Sequence, residues 1–217
     1  MVEEKTNEEI QEIEKILVEQ EAQESKVEYE EPIDLDKVNV IAILGNIDEG
    51  KSNLSFWYMN SYKGKRQKCL YGYPQKIQGY KSIYTFQDLM KVNNSIIFID
   101  EFSKYFRLYD KNTNQQLIDF LVLMAHKKNT LILTTQLSQM LTRQVESFID
   151  CWAFKRIDLN SLKWGSKARR IIHSLAYWKK NDWVLDLEKN EYFEYSDRIN
   201  DNGIKKFPFQ NVSKVWA

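Results

Sequence analysis

Val38-Asn39-Val40-Ile41-Ala42-Ile43-Leu44-Gly45-Asn46-Ile47-Asp48-Glu49-Gly50-Lys51-Ser52 is the stretch that decides the fold. Its apolar first half predicts a buried strand. Its second half has the Gly-x-x-x-x-Gly-Lys-Ser spacing of a phosphate-binding loop, and Asn53-Leu54-Ser55-Phe56-Trp57-Tyr58-Met59 continues it as a helix-compatible run. Glycines let the backbone turn so that successive N–H groups face a polyphosphate, and the helix start adds partial positive charge. The residues expected to bind nucleotide are therefore Gly45, Asn46, Ile47, Asp48, Glu49, Gly50, Lys51, Ser52 and Asn53. Lys51 would reach the β- and γ-phosphates of ATP, and the Ser52 hydroxyl would ligate Mg²⁺. The chain has only seven glycines, so two of them at this spacing between strand and helix do not read as an ordinary loop.

A second apolar run, Ser95-Ile96-Ile97-Phe98-Ile99, ends in Asp100-Glu101 and reads as a buried parallel strand. It is expected beside the P-loop strand, with Asp100 supporting Mg²⁺ and Glu101 as the general base for the attacking water. A third run, Thr130-Leu131-Ile132-Leu133-Thr134-Thr135, ends in Gln136. Parallel strands present their C-terminal ends to the ligand crevice, which puts Gln136 in reach of the γ-phosphate.

The zero net charge hides a division. Residues 1–36 carry 14 Asp and Glu against 3 Lys, a net of −11, and the remainder carries 28 Lys and Arg against 17 acids, a net of +11. An acidic tail on a basic body points to a polyanionic partner for the body. Cys69 and Cys151 lie far apart in apolar settings, which implies buried thiols in a reducing compartment. No Cys/His group has metal-ligand spacing, and no apolar run approaches the roughly 20 residues that span a bilayer. The acidic N-terminus is unlike a signal peptide, so a soluble intracellular protein is expected.

Ile10, Ile13 and Leu17 form a thin apolar stripe in the tail, consistent with a docking helix, a solvated tail, or an arm that covers the basic face. Beyond it, Cys69 to Tyr73 reads as a strand and Thr85 as the cap of a short helix from Phe86 to Val92. Asn114 to Lys128 reads as a helix with Leu117, Phe120, Leu121 and Met124 on one face. Ser138 to Phe148 is expected as helix, and Ile149 to Phe154, Arg170 to Trp178 and Trp183 to Leu187 as strands. The domain reading is an acidic segment 1–36, an ATPase core 37–160 and a β-rich extension 161–217 of the same domain. Lys63, Lys65, Arg66 and Lys68 make one basic cluster, and Lys163, Lys167, Arg169 and Arg170, with Trp164, make another. Both are candidates for sequence-independent phosphate contacts.

Asp100-Glu101-Phe102-Ser103-Lys104, a helix, Lys127-Lys128 and a strand ending Thr134-Thr135-Gln136 together resemble the FtsK–HerA group of DNA-pumping ATPases. Gln136-Leu137-Ser138-Gln139-Met140-Leu141-Thr142-Arg143 is similar to that group's segment after the sensor strand. Tyr192-Phe193-Glu194-Tyr195-Ser196-Asp197 resembles the terminal aromatic stretch of genome-packaging ATPases from tailless icosahedral viruses with an internal membrane. The resemblance implies an α/β P-loop NTPase of RecA/FtsK-like type, with a mostly parallel central sheet, flanking helices and a C-terminal β-rich extension. It implies a ring, usually a hexamer, that hydrolyses ATP with Mg²⁺ and moves double-stranded DNA, with a capsid vertex protein as a further partner. The expected setting is host cytoplasm or virion. Gln136 matches the sensor, and Arg143 matches an arginine finger offered to a neighbouring subunit, with Arg107 as second candidate. Lys127 and Lys128 stand where relatives carry arginine, and lysine lacks the planar guanidinium fork.

Asp48 and Glu49 are unusual in a P-loop, and two acids beside a triphosphate predict modest ATP affinity. A helicase loader of AAA+ type shares the motifs but needs a helical lid, against which the β-like pattern after Ile149 argues. A zonula-occludens-toxin-like assembly ATPase usually carries a membrane span. A nucleotide switch or capsid-vertex protein with little turnover is the alternative outside the motors, and Glu101 and Gln136 argue against it.

Overall fold

The computed structural model describes residues 29–73, 75–105, 111–136, 141–157, 162, 164–179, 187–199 and 202–208. Glu31 onward forms one compact unit. Among the described residues the elements run β1 (Val40–Leu44), α1 (Lys51–Ser61), β2 (Gln67–Tyr71), β3 (Lys81–Ile83), α2 (Phe86–Leu89) and β4 (Ser95–Ile99). After a 3-10 turn at Phe102–Lys104 come α3 (Lys111–His126), β5 (Thr130–Thr135), α4 (Arg143–Glu146), β6 (Cys151–Phe154), α5 (Lys167–Lys179), β7 (Glu191–Tyr195) and β8 (Gly203–Lys206).

The strands form one sheet in the order β3-β2-β4-β5-β1-β6-β7-β8. Pairing is parallel from β3 through β6 and antiparallel from β6 to β8. This is the expected mostly parallel α/β sheet with a β extension at its C-terminal side. Every residue of β1, β4, β5 and β6 is buried, because both sheet faces are covered. Alternation along β1 sends Val40, Ala42 and Leu44 into one core with Leu117, Phe120, Val145 and Ile171 from α3, α4 and α5. Ile41 and Ile43 face the other core, with Leu54, Phe56 and Tyr58 from α1. Phe56 meets Phe98 and Tyr73 edge-on, with ring centroids 5.7 and 5.9 Å apart, and so packs α1 against β4 and the end of β2.

Three local expectations change. The Asp100 strand does not lie beside the P-loop strand: β5 is hydrogen-bonded to both and separates them, with Leu44 opposite Thr135 and Ile99 opposite Leu133. Arg170 to Trp178 is helix, within α5, rather than strand. Ser166 starts it by accepting the Arg169 N–H at 3.1 Å, and Ala168, Ile171 and Ile172 are buried at helical spacing. Of the stretch expected as helix from Ser138 to Phe148, residues 138–140 lie outside the described residues and only α4 is helical, capped by Thr142. Residues 183–186 of the proposed strand also lie outside, as do Arg107 and residues 1–28. The Thr85 cap and the buried face of α3 stand as expected.

Two buried lysines hold the C-terminal strands to the rest of the sheet and to α1. Lys205 of β8 donates to Glu194 of β7 at 2.6 Å, and Glu194 also accepts from the Tyr58 hydroxyl of α1. Tyr58 and Glu194 are fully buried, and burial pushes the tyrosine's ionisation far up, so it remains a donor. Lys155, just after β6, is also fully buried. Its ammonium donates to Lys189 O at 2.7 Å and to Glu191 O, and it lies 4.7 Å from the centre of the Phe207 ring. Burial lowers its pKa to about 7.

Replacing Lys205 leaves a buried carboxylate without its cation. Lys205→Met is expected to cost about 3–5 kcal/mol in urea unfolding, much of it recovered when Glu194→Leu is added. For Lys155 the unfolded chain holds the proton more tightly than the folded one between pH 7 and the ordinary lysine value of 10.5, so its contribution to stability rises with pH across that window. The melting-temperature difference between wild type and Lys155→Met should therefore shift in favour of wild type from pH 7 to pH 9.5.

Candidate nucleotide-hydrolysis site

The P-loop leaves β1 through Gly45, where a Cβ would come within 2.7 Å of the Lys155 Cβ, so a larger residue would displace the loop from β6. Asn46 N–H donates to Arg156 O at 3.0 Å and holds the loop to the exit of the neighbouring strand. Gly50 precedes α1 in the left-handed conformation (φ 81°), and no side chain caps the helix. The first amides of α1 therefore face the loop's concavity, the geometry that binds phosphate. Asp48 is left-handed as well (φ 60°).

Lys51 is only 6 % exposed and donates from Nζ to Asn46 O at 2.7 Å. Burial lowers its pKa, and Glu101, Asp100, Asp48 and Glu49 oppose that effect in decreasing order. The acids singled out in the sequence thus belong to the electrostatic surroundings of the P-loop lysine.

The two halves of the site meet at Asp100. Ser52 Oγ lies 3.2 Å from each Asp100 carboxylate oxygen, and Thr134 Oγ1 donates to Oδ1 at 2.6 Å. A serine hydroxyl and a carboxylate are hard oxygen donors, and Mg²⁺ is typically held by one or two protein oxygens plus substrate phosphates. The pair fits that ion, and among the described residues no group of three His, Cys, Asp or Glu offers a different metal cage.

Glu101 sits just past β4 in the left-handed region (φ 47°), which costs a non-glycine residue about 1–2 kcal/mol. Its N–H donates to Thr134 Oγ1 at 2.8 Å, and its Oε1 accepts from Gln136 Nε2 at 2.9 Å. The turn aims Glu101 across the end of β5 to meet Gln136. Lys51, Ser52, Asp100, Glu101 and Gln136 are therefore brought together. Arg143 is exposed on α4, and the Leu137 to Met140 segment that precedes it lies outside the described residues.

Sequence reasoning missed Thr134, which joins Asp100 to the Glu101 backbone; its signal was a hydroxyl near the end of an otherwise apolar strand. It also missed Tyr73, buried beyond β2, which interacts with Ser52 and Asp100. Burial, and then the Asp100 charge, push the Tyr73 ionisation far up, so it stays neutral. The first basic cluster is partly used internally. Arg66 pairs with Asp36 at 2.9 Å and donates to Leu35 O at 2.7 Å and Thr130 Oγ1 at 2.8 Å, and Lys63 pairs with Glu31 at 3.0 Å. In the second cluster Lys163 lies outside the described residues, Lys167 pairs with Asp197 at 3.0 Å, and Arg170 is exposed.

No family model matches the sequence, and no curated protein matches it. Solved structures do. The genome-packaging NTPase of Sulfolobus turreted icosahedral virus 2, in complex with sulfate, superposes with a TM-score of 0.62 at 18 % identity, covering 81 % of this chain and 99 % of that one. The same viral NTPase in complex with AMPPCP gives 0.58 at 16 % identity, covering 81 % and 100 %. The conjugation coupling protein TcpA of pCW3, with ATPγS, gives 0.55 at 14 % identity, covering 84 % and 63 %. The type VII secretion ATPase EccC of Thermomonospora curvata gives 0.53 at 9 % identity, covering 82 % of this chain and 25 % of that one. This chain shares the fold of these ATPases, a mostly parallel sheet flanked by helices with a P-loop after its first strand.

Proposed function

We propose that this chain is an ATP-hydrolysing motor that works as a ring, usually hexameric in this group, and drives double-stranded DNA into a viral capsid. The observation that carries the reading is the 2.9 Å bond from Gln136 to Glu101, beside the Ser52–Asp100 pair. A nucleotide switch needs a phosphate loop and metal support. A hydrolase needs in addition a carboxylate aimed at water and coupled to a group that reads the γ-phosphate, and Glu101 and Gln136, bonded at adjacent strand ends, suit those roles.

In this reading Lys51 leaves Asn46 O and moves to the β- and γ-phosphates. Ser52 and Asp100 would hold Mg²⁺, which when bound neutralises charge on the β- and γ-oxygens. Glu101 accepts the proton of the attacking water, Gln136 holds that carboxylate and senses the γ-phosphate, and Tyr73, neutral, closes the far side. Arg143, exposed on its own chain, acts on the neighbour's site as an arginine finger. Residues 37–160 form the ATPase core and 161–217 its extension. The DNA contact rests on the basic excess of the body, a charge-based attraction indifferent to sequence and weakened by salt. A structural likeness to a viral packaging NTPase supports the capsid assignment, with a vertex protein as partner and host cytoplasm or the virion as the setting.

Glu101→Gln tests the chemistry: binding of an ATP analogue should stay within about threefold, while turnover falls at least 10²-fold. Turnover per chain should also rise with protein concentration, since a finger supplied in trans is worth about 10³–10⁵ in rate. It should rise again with long double-stranded DNA at low salt. A rate that is flat in concentration and indifferent to DNA would overturn the motor reading and leave nucleotide binding alone.

A further inference from the structure

We propose that Arg143, Trp164 and Arg169 form the surface by which one copy of the chain docks on the phosphate loop of the next, at Ile47, Asp48 and Glu49. This rests on the ring reading above and specifies the contact the ring uses.

Trp164 is 82 % exposed, and the Arg169 guanidinium lies over its ring at 4.4 Å from the centroid. The next residue, Gly165, takes a left-handed φ of 77°, and Arg143 Nη2 lies 4.0 Å from where its Cβ would be. Arg169 therefore stacks on the indole and Arg143 reaches the adjoining Gly165, so both guanidinium groups border the Trp164 segment, with exposed Arg170 following on α5. Tryptophan and arginine are the side chains that most often anchor protein interfaces, because each carries broad apolar area together with donors.

The loop Ile47-Asp48-Glu49 has the complementary character. Ile47 is 66 % exposed, the most exposed of the large aliphatic side chains among the described residues. Asp48 is exposed, and Glu49 is partly so. Two carboxylates and an apolar side chain at the mouth of a loop that must receive a polyphosphate are unfavourable in a lone chain. Opposite a cationic aromatic face they are satisfied: the guanidinium groups offset the acids, and the indole covers the isoleucine. The same contact would let the loop hold its triphosphate at lower electrostatic cost once a neighbour is in place.

The two patches lie in different layers. Arg143, Trp164 and Arg169 flank residues packed with the α3–α4–α5 core, whereas the loop leads into α1 on the opposite face of the sheet. Contact between unlike faces is heterologous, the kind that closes into a ring when its rotation permits. It also carries Arg143 to the loop where a finger must act. The competing occupant of the Trp164 face is the DNA backbone. The acidic loop favours a second copy, because DNA gives Asp48 and Glu49 no partner.

The experiment is pairwise cross-linking of the full chain in the presence of ATPγS. Cys69 and Cys151 are buried, so cysteines placed at Asp48→Cys in one preparation and Trp164→Cys in another report on the surface. Mixing the two should give a disulfide-linked dimer that neither forms alone. Trp164→Ala should raise the concentration for half-maximal assembly at least tenfold, with ATPγS binding to the dispersed chain changed less than twofold. If sedimentation shows rings and the mixed pair does not cross-link, the docking assignment is overturned and the ring reading stands. If Trp164→Ala weakens retention of double-stranded DNA and leaves assembly intact, the face belongs to DNA and the assignment is again overturned. If the native chain stays monomeric at every concentration, the ring reading itself fails, and this inference with it.

Discussion

The Asp100 carboxylate accepts hydrogen bonds from hydroxyl groups on two different elements, and the arrangement of the site depends on that sharing. Ser52 reaches it from the first turn of α1 and Thr134 from β5. The first bond closes the phosphate loop onto the acid proposed to support Mg²⁺. The second fixes the carboxylate's rotation and brings Thr134 under the backbone N–H of Glu101. A left-handed glutamate is costly unless its surroundings over-determine it, and here one threonine holds both its N–H and the residue before it. Glu101, the proposed general base, is thus positioned by β5, the strand that also carries its glutamine partner.

That role explains why β5 lies between β1 and β4. With the two motif strands adjacent, a side chain at the end of a third strand could flank only one of them and would have to cross it to reach the other. With β5 between them, Thr135 pairs with Leu44 and Leu133 pairs with Ile99, so Gln136 emerges where the phosphate loop and the acids face each other. The strands, the loop and the identity of Gln136 were legible as local pattern: an apolar run ending in a polar residue at a parallel strand's C-terminal end. Strand order was not, because it depends on which edges pair, and every one of these buried strands is apolar on both faces.

The misread elements share a physical cause. Arg170 to Trp178 is rich in residues that suit a strand, but the stabilising contacts are those of Ala168, Ile171 and Ile172 on a single helical face. The helix start is set by Ser166 and by Glu146, which accepts the Lys167 N–H at 3.1 Å from 21 positions earlier in the chain. A carboxylate at a helix start offsets the partial positive charge there, and no window of neighbouring sequence contains it. Thr134 and Lys155 were hidden in the same way, since a hydroxyl or ammonium gains its role only from atoms that folding brings to it.

Arg66 takes this argument to the charge of the whole molecule. The sequence divides at about residue 36 into acidic and basic parts, yet Ile33 and Leu35 are buried and Asp36 pairs with Arg66. The compact unit begins at Glu31, so Glu31, Asp34 and Asp36 count with the body and lower its basic excess from +11 to +8. Arg66, with 10 % of its side chain exposed, is committed to Asp36, Leu35 and Thr130 and is not available to a phosphate backbone. Its planar fork serves three acceptors at once, which a lysine could not do. An arginine inside a basic run therefore acts as a structural tie between Leu35-Asp36 and β5. The charge for the DNA contact proposed above has to be sought among cations that remain outside such ties, such as Lys65.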